Sequence, residues 1–248
     1  MTRLDRMAGV ARSLALYYGI PFRTRRLARL YAPFIGSGGL AFDVGAHAGN
    51  RVRAFRRLGA RVVAVEPQPD FVRLLEALYG RDRHVTIVPA AVGRAIGDAT
   101  LHASERTPTV TTLSPVWAKR VSADPSFRGV RWRPGARVPV TTLDALIAVH
   151  GRPDFMKLDV EGYEAEALAG LSTPVAALSF EYLAAAREVA LDCVDRLGAL
   201  GNYAYNWSAG ERQRLAERAW LEPDAIRAVL RALPAGGGSG DVYARLRD

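Results

Sequence analysis

Two short stretches carry acids where a reaction or a ligand could use them. Residues 43–49 read DVGAHAG, and residues 157–162 read KLDVEG. In both, an acid closes an apolar run, and glycine and a helix-like pattern follow. A third acid, Glu66, ends the run RVVAVE about 20 residues after the first motif, and a fourth, Glu181, ends VAALSFEY. Acids at the ends of adjacent parallel strands meet at the carboxyl edge of a sheet, where α/β proteins hold their ligands.

The first motif reads as a cofactor turn. A strand, a glycine-containing turn and a helix present backbone N–H groups and the positive end of a helix dipole at the sheet edge. Gly45 and Gly49 leave room for close approach to the backbone. Glu66 is placed to accept both hydroxyls of a ribose. Strand, turn and acid together suit an adenosine-type ligand, with Ala91 and Val92 on the following strand. A dinucleotide usually requires G-x-G-x-x-G, whereas the spacing here is G-x-x-x-G behind Asp43. Asp43 would repel a pyrophosphate and suits an ammonium or sulfonium group; S-adenosyl-L-methionine carries both. A turn that binds nothing, or an NAD(P)-dependent Rossmann oxidoreductase, are the competing assignments.

The second motif faces the reaction. Alternation along a strand puts Lys157, Asp159 and Glu161 on one face and Leu158 and Val160 on the other. Buried charges of this kind need partners or a purpose. Asp159 is the first candidate for a base that takes a proton from an attacking hydroxyl, followed by Glu161 and Glu181. The plainer alternative is that Lys157 pairs with a carboxylate and Glu161 caps a helix. His47, inside the turn, serves either as a turn residue or as a titrating group; His84 and His150 read as structural, and His102 stays open. The expectation is that no metal is needed. Were one bound, Asp159, Glu161 and Glu181 would form an oxygen-rich set for magnesium.

The elements that must position these acids follow from periodicity. From Gly39 onward, short apolar runs at 39–44, 61–66, 84–92, 154–160 and 175–182 alternate with helical patterns, which indicates βαβ units and a mostly parallel, doubly wound sheet. Further strands are expected at 99–103, 137–142, 202–207 and 241–247. The alternation breaks at 104–136, a long segment rich in Pro, Ser, Thr, Arg and Trp. A segment of that length tends to be functional. Its Trp117, Arg131 and Trp132 pair flat aromatic faces with cationic forks, a surface suited to acidic sugars or to bases and phosphates; an ordered loop with its tryptophans pinned into the core is the equal alternative. Residues 4–30 form a basic amphipathic helical region interrupted at Pro21, which could lie on a membrane or pack on the domain. The expected organisation is an appendage at 1–38 and one domain at 39–248, with 104–136 as a substrate lid.

Composition narrows the class. The 248 residues, 49% apolar and 24% charged, describe an ordinary globule rather than a disordered chain. No apolar run reaches the ~20 residues that span a bilayer. With one cysteine, Cys193, there is no disulfide framework or cysteine metal site, so a cytoplasmic protein is expected. The net charge of +9, carried almost wholly by arginine, admits a nucleic acid, a membrane surface or an acidic substrate as partner. The arginines are spread along the chain, and no base-reading motif accompanies them, so nucleic acid is not the favoured partner.

DVGAHAG, VAVEPQP at 63–69, AAVG at 90–93, TTLD at 141–144 and MKLDVEGYEAEAL at 156–168 resemble, in that order, the FkbM-type methyltransferases. The resemblance covers roughly residues 40–181. It implies a Rossmann-like class I methyltransferase fold with an antiparallel last strand, S-adenosyl-L-methionine as cofactor, and O-methylation of a hydroxyl on a sugar, polysaccharide unit or specialised metabolite. Carried onto this chain, it makes Asp43, Gly45 and Gly49 the methionine-side turn, Glu66 the ribose acid, Ala91 and Val92 the adenine wall, and Asp159 and Glu161 the transfer site. The family commonly has asparagine where this chain has His47 and threonine where it has Val52. An RNA methyltransferase remains the alternative activity.

Overall fold

The computed structural model describes residues 20, 22–104, 107–210, 212–234 and 236–247. The part of the basic amphipathic region before Ile20 lies outside the described residues. From there the chain runs α1 (Arg23–Tyr31), β1 (Leu40–Val44), α2 (Asn50–Arg57), β2 (Arg61–Val65), α3 (Pro69–Tyr79), β3 (Val85–Val88), β4 (Ala91–Val92) and β5 (Gly97–Ser104). It continues with α4 (Pro115–Val121), β6 (Trp132–Thr141), α5 (Leu143–His150), β7 (Phe155–Leu158), α6 (Glu164–Ala169), β8 (Ala177–Leu183), α7 (Arg187–Leu200), β9 (Tyr203–Ala209), α8 (Pro223–Ala232) and β10 (Ser239–Leu246).

Seven strands form the main sheet in the order β3-β2-β1-β7-β8-β10-β9. All its pairs are parallel except those of β10, which runs antiparallel to both β8 and β9. β1 is buried along its whole length because it is central and both faces are covered. Its residues alternate accordingly. Leu40, Phe42 and Val44 pack with α5 to α8, and Ala41 packs with Tyr31 of α1 and Phe55 of α2. Burying a side chain such as Phe42 is worth about 1.5–3 kcal/mol, so one-residue slips of register are strongly disfavoured.

That same alternation sorts the polar residues. Ala41, Phe155, Ala177 and Tyr243 belong to the α1/α2 face, so Asp43, Lys157, Ser179 and Asp241, two positions away along their strands, and Glu181, four away, point to it as well. Register sets Asp43 beside Lys157, Lys157 beside Ser179, and Glu181 beside Asp241. A charged row is thus built beneath α1 and α2.

Three expectations change. The run at 84–92 is two strands: β3 stays in the main sheet, while β4 joins β5 and β6 in a separate three-stranded sheet. Pro89 lies between them and has no N–H to continue a ladder. The described residues of the segment 104–136, which are 104 and 107–136, form defined elements. α4 is capped by Ser114, whose Oγ accepts from the Trp117 N–H at 3.1 Å. Trp117, Phe127 and Trp132 then meet edge-on or tilted at 5.7–6.0 Å between ring centres and pack on Leu183 and Ala186. Finally, α1 is seated in the domain core: Tyr31 is fully buried, 4.9 Å from Phe55 and 5.2 Å from Phe155 between ring centres.

Candidate active site

The carboxyl ends of β1, β2 and β7 border a cleft lined by both apolar and polar side chains, the kind of surface that holds a small ligand. Gly45 opens it. Its φ of +82° is left-handed, and a Cβ there would lie 1.9 Å from the Asp159 carbonyl oxygen, so only glycine lets the turn lie against the end of β7. Gly49, φ +76°, lies outside the cleft; a Cβ there would meet Tyr79 and Leu75 within 3 Å. Both glycines are therefore required by packing, and Gly45 alone of the two borders the ligand space.

The amides of the turn are already committed. Gly45 and Ala46 donate to the Val65 carbonyl, Gly49 donates to Ala46, and His47 donates to Glu66 Oε2 at 2.7 Å. A pyrophosphate needs such amides free, so the turn does not serve as a phosphate cradle. Glu66 accepts one backbone bond on each oxygen, the second from Gln68 N–H at 2.8 Å on Oε1. Burial raises its pKa to about 7 despite those bonds. The two amides fix the carboxylate plane while each oxygen keeps a further acceptor direction.

His47 has φ +46°, the left-handed region that asparagine also tolerates. Its ring lies on Phe71 with centres 3.7 Å apart. Burial lowers its pKa to about 4, so it is neutral near pH 7 and is a turn residue rather than a titrating group in that range. Asp43, expected against the ligand, sits one layer below the cleft and is 1% exposed. Neither of its oxygens makes a well-formed hydrogen bond among the described residues. Burial lifts its pKa to about 6, with Arg51, Lys157 and the Val52 amide pulling the other way.

Beneath the cleft floor lies a network of buried charge. Lys157 is fully buried; its Nζ is 2.9 Å from Asp241 Oδ1 and 3.3 Å from Asp159 Oδ2, and it donates to the Leu158 carbonyl at 2.9 Å. Arg51 Nη2 reaches the same Asp159 Oδ2 at 3.3 Å. Burial opposes the Lys157 charge, but Asp159 and Asp241 outweigh it and hold the ammonium protonated. For Asp159, burial is outweighed in turn by Lys157 and Arg51, which keep it below the usual carboxylate range. Asp159, Glu161 and Glu181 each bring an oxygen within 4.8 Å of the others. Burial and then mutual repulsion push Glu161 well above an ordinary glutamate, and Glu181 likewise, with Asp159 the leading repulsive charge. The cluster therefore carries a proton near neutral pH.

The loop after β7 presents Glu161 in a left-handed conformation, φ +53°, followed by Gly162 at +83°. Such a backbone persists only when its surroundings fix it. Glu164 does so, its Oε1 accepting from Val160 N–H at 2.9 Å and Gly162 N–H at 3.3 Å. Among the described residues no side chain caps α6, so the capping role considered for Glu161 is not seen; Glu164 braces the loop before the helix instead. Gly162 is also obligatory, since a Cβ there would fall 2.1 Å from the Trp117 ring.

The cleft brings together Gly45, His47, Glu66, Ala91, Val92, Asp159 and Glu161; Glu181 joins through the acid cluster. Trp117, Arg131 and Trp132 do not border it. Trp117 is 4% exposed, Trp132 donates its Nε1–H to the Val110 carbonyl at 2.8 Å, and Arg131 lies on the outer face with Lys119. The 104–136 segment instead meets the cleft through Thr109, Thr111 and Leu113. Thr111 Oγ1 is buried with no hydrogen-bond partner among the described residues, which suits a polar ligand. Arg51 and Asp241 escaped the sequence reading. Arg51 left a signal, because a cation in the first turn of a helix opposes the dipole unless an acid holds it.

The sheet order with its single reversed strand, and a cleft at its carboxyl edge, define a Rossmann-like class I methyltransferase fold. A solved TehB-like S-adenosylmethionine-dependent methyltransferase from Corynebacterium glutamicum shares it, with TM-score 0.50, 11% identity, and coverage of 97% of this chain and 96% of that one. A precorrin-6y C5,15-methyltransferase from Geobacter metallireducens aligns at TM-score 0.45 and 12% identity over 91% and 87%. No curated protein sequence matches the chain. The methyltransferase FkbM domain matches residues 43–188, more than half of the chain. The chain belongs to the FkbM methyltransferase family and is an S-adenosylmethionine-dependent methyltransferase. No helix among the described residues is long and apolar enough to cross a membrane.

Proposed function

We propose that the protein methylates a hydroxyl oxygen of a sugar, polysaccharide unit or specialised metabolite, with residues 39–248 as the catalytic domain and the threonines of 104–136 toward the acceptor. The observation that carries this reading is one cleft bordered by Glu66 at one strand end and by Asp159 and Glu161 at another. S-adenosyl-L-methionine, when bound, supplies an electrophilic methyl group on a sulfonium. Glu66 would accept from the ribose hydroxyls, Ala91 and Val92 would line the adenine, and the charge of Asp159 would face the sulfonium. The hydroxyl proton of the acceptor would pass to ionised Glu161 as its oxygen takes the methyl group.

Glu161 is a better base than Asp159. Lys157 and Arg51 hold Asp159 low, and a depressed pKa makes a weak base. Glu161 borders the cleft, with its pKa raised by burial and by the charge of Glu181. Turnover should then rise with pH as Glu161 ionises. Magnesium is given no role in this reading, in which Asp159 Oδ2 has Lys157 and Arg51 as its cationic partners.

Calorimetric titration with S-adenosylhomocysteine, run beside NADH, tests the cofactor site: micromolar binding of the former alone is expected, about −8 kcal/mol. Binding of NADH alone would overturn the assignment. With hydroxylated saccharides as acceptors, Glu161→Gln should cut kcat about a hundredfold or more with little change in cofactor affinity. A larger loss in Asp159→Asn than in Glu161→Gln would return the base to Asp159.

A further inference from the structure

We propose that the outer face of α1 and α2 docks the protein on an anionic phospholipid bilayer. The two helices contain eight arginines and no acid. Arg23 is buried, Arg51 holds Asp159, and Arg56 binds Asp82 at 2.8 Å. The other five, Arg25, Arg26, Arg29, Arg53 and Arg57, are exposed. Three of these do more than share a surface. Arg25, Arg29 and Arg57 border a single shallow groove of about 570 Å³ whose remaining walls are Ala28, Ala32 and Leu58. Guanidinium groups over an apolar floor fit a phosphodiester headgroup with its first methylenes, since the planar fork binds phosphate bidentately.

Apolar residues stand where a membrane would receive them. Phe22, 70% exposed, and Ile20, 43% exposed, immediately precede α1. A basic helix face headed by exposed apolar side chains combines the two attractions that hold peripheral proteins at a bilayer: charge and insertion. A nucleic acid is the weaker fit. The groove offers alanine and leucine where a base would need an aromatic platform or an amide edge. The surface is also joined to the active site. α2 carries Arg51 at the cleft in its first turn and Arg57 at the groove in its last, about 9 Å along the axis, so a docked protein holds its cleft at a fixed height above the lipid.

Co-sedimentation of the full chain with vesicles tests this. Vesicles of equal phosphatidylcholine and phosphatidylglycerol should pull the protein down, those of phosphatidylcholine alone should not, and raised salt should weaken the interaction. Each arginine near such a surface contributes enough that the triple variant Arg25→Gln, Arg29→Gln, Arg57→Gln should bind roughly a hundredfold more weakly. Phe22→Ser should lose about tenfold. Both variants should keep the parental circular dichroism and S-adenosylhomocysteine affinity, because none of these residues borders the cleft. Equal binding to both vesicle types, unchanged binding by the triple variant, or binding to single-stranded RNA in place of vesicles would each overturn the proposal.

Discussion

Replacing Lys157 by methionine keeps the length of the side chain and removes its charge, which tests the buried network directly. Lys157 has no exposed surface and stands 2.9 Å from one carboxylate and 3.3 Å from another. At an effective dielectric of about 20, each contact is worth roughly 5–6 kcal/mol before desolvation is counted. Methionine avoids the desolvation of the ammonium but leaves Asp159 and Asp241 facing each other, with Asp43 and Glu181 nearby. Removing one partner of a buried pair costs about 3–5 kcal/mol, a large part of the 5–15 kcal/mol that holds such a domain together. The sign with pH is fixed by Asp159. Lys157 depresses its folded-state pKa, so that share of stability is present above the unfolded carboxylate value and is lost as pH falls through the folded value. Urea unfolding followed by tryptophan fluorescence should show a deficit of about 3–5 kcal/mol at pH 7. It should narrow toward pH 4 and below as the carboxylates protonate. A deficit under about 1 kcal/mol at pH 7, or one that widens on acidification, would refute the account.

Gly45→Ala should destabilise by more than about 3 kcal/mol, since its Cβ would meet the Asp159 carbonyl at 1.9 Å on a left-handed backbone; a melting midpoint within a degree of the parent would contradict it. Glu66→Gln places an amide nitrogen against a backbone N–H and should weaken S-adenosylhomocysteine binding at least about tenfold by calorimetry. It should also change the pH profile. Glu66 is raised to about 7, so its contribution favours folding below about pH 4.5 and is lost as pH rises to about 7, up to roughly 3 kcal/mol in all. Thermal melts from pH 5 to 8 should therefore fall more steeply for the unliganded parent than for the variant, and parallel profiles would count against it. Trp117→Ala should cost about 3–5 kcal/mol through the cavity it leaves, with cofactor affinity retained; a loss confined to acceptor KM would instead restore Trp117 as a substrate contact.

The parallel core was legible because buried strands advertise themselves. LAFDV and RVVAV are short apolar runs with no helical period, and each sits between turn signals. The small second sheet was harder to see. The second half of β6 was expected as a strand at 137–142, but its first half, WRPGA, holds Pro134 and a glycine, is largely exposed, and lacks both the hydrophobic alternation and the composition of a strand. Its pairing with β5 is a tertiary fact. In the site, Gly45, Glu66, Asp159 and Glu161 could be found because acid, turn and strand end coincide locally. Asp241 could not. It reaches Lys157 only because β10 inserts antiparallel between β8 and β9, and nothing within its own stretch encodes that neighbour. Trp117 and Trp132 misled for a related reason: aromatic residues among arginines look the same in sequence whether they face a ligand or one another.

Asp43 shows why the acids of one site need different surroundings. Had it faced the ligand, four carboxylates would crowd one cleft and most would take up protons. It lies below instead, where Arg51 and Lys157 stand between it and Asp159 in charge, if not in line. Those two cations keep Asp159 ionised, so a negative charge persists where a sulfonium would sit. Glu161 and Glu181 receive no comparable cationic partner and rise. Pushing neighbouring pKa values apart in this way gives one site both a permanent charge and a group able to exchange a proton. The division rests on Arg51, which the helix dipole would otherwise disfavour at the start of α2. Arg51→Met should therefore raise the Asp159 pKa and shift the pH dependence of turnover, whereas a purely structural Arg51 would lower stability and leave that profile where it was.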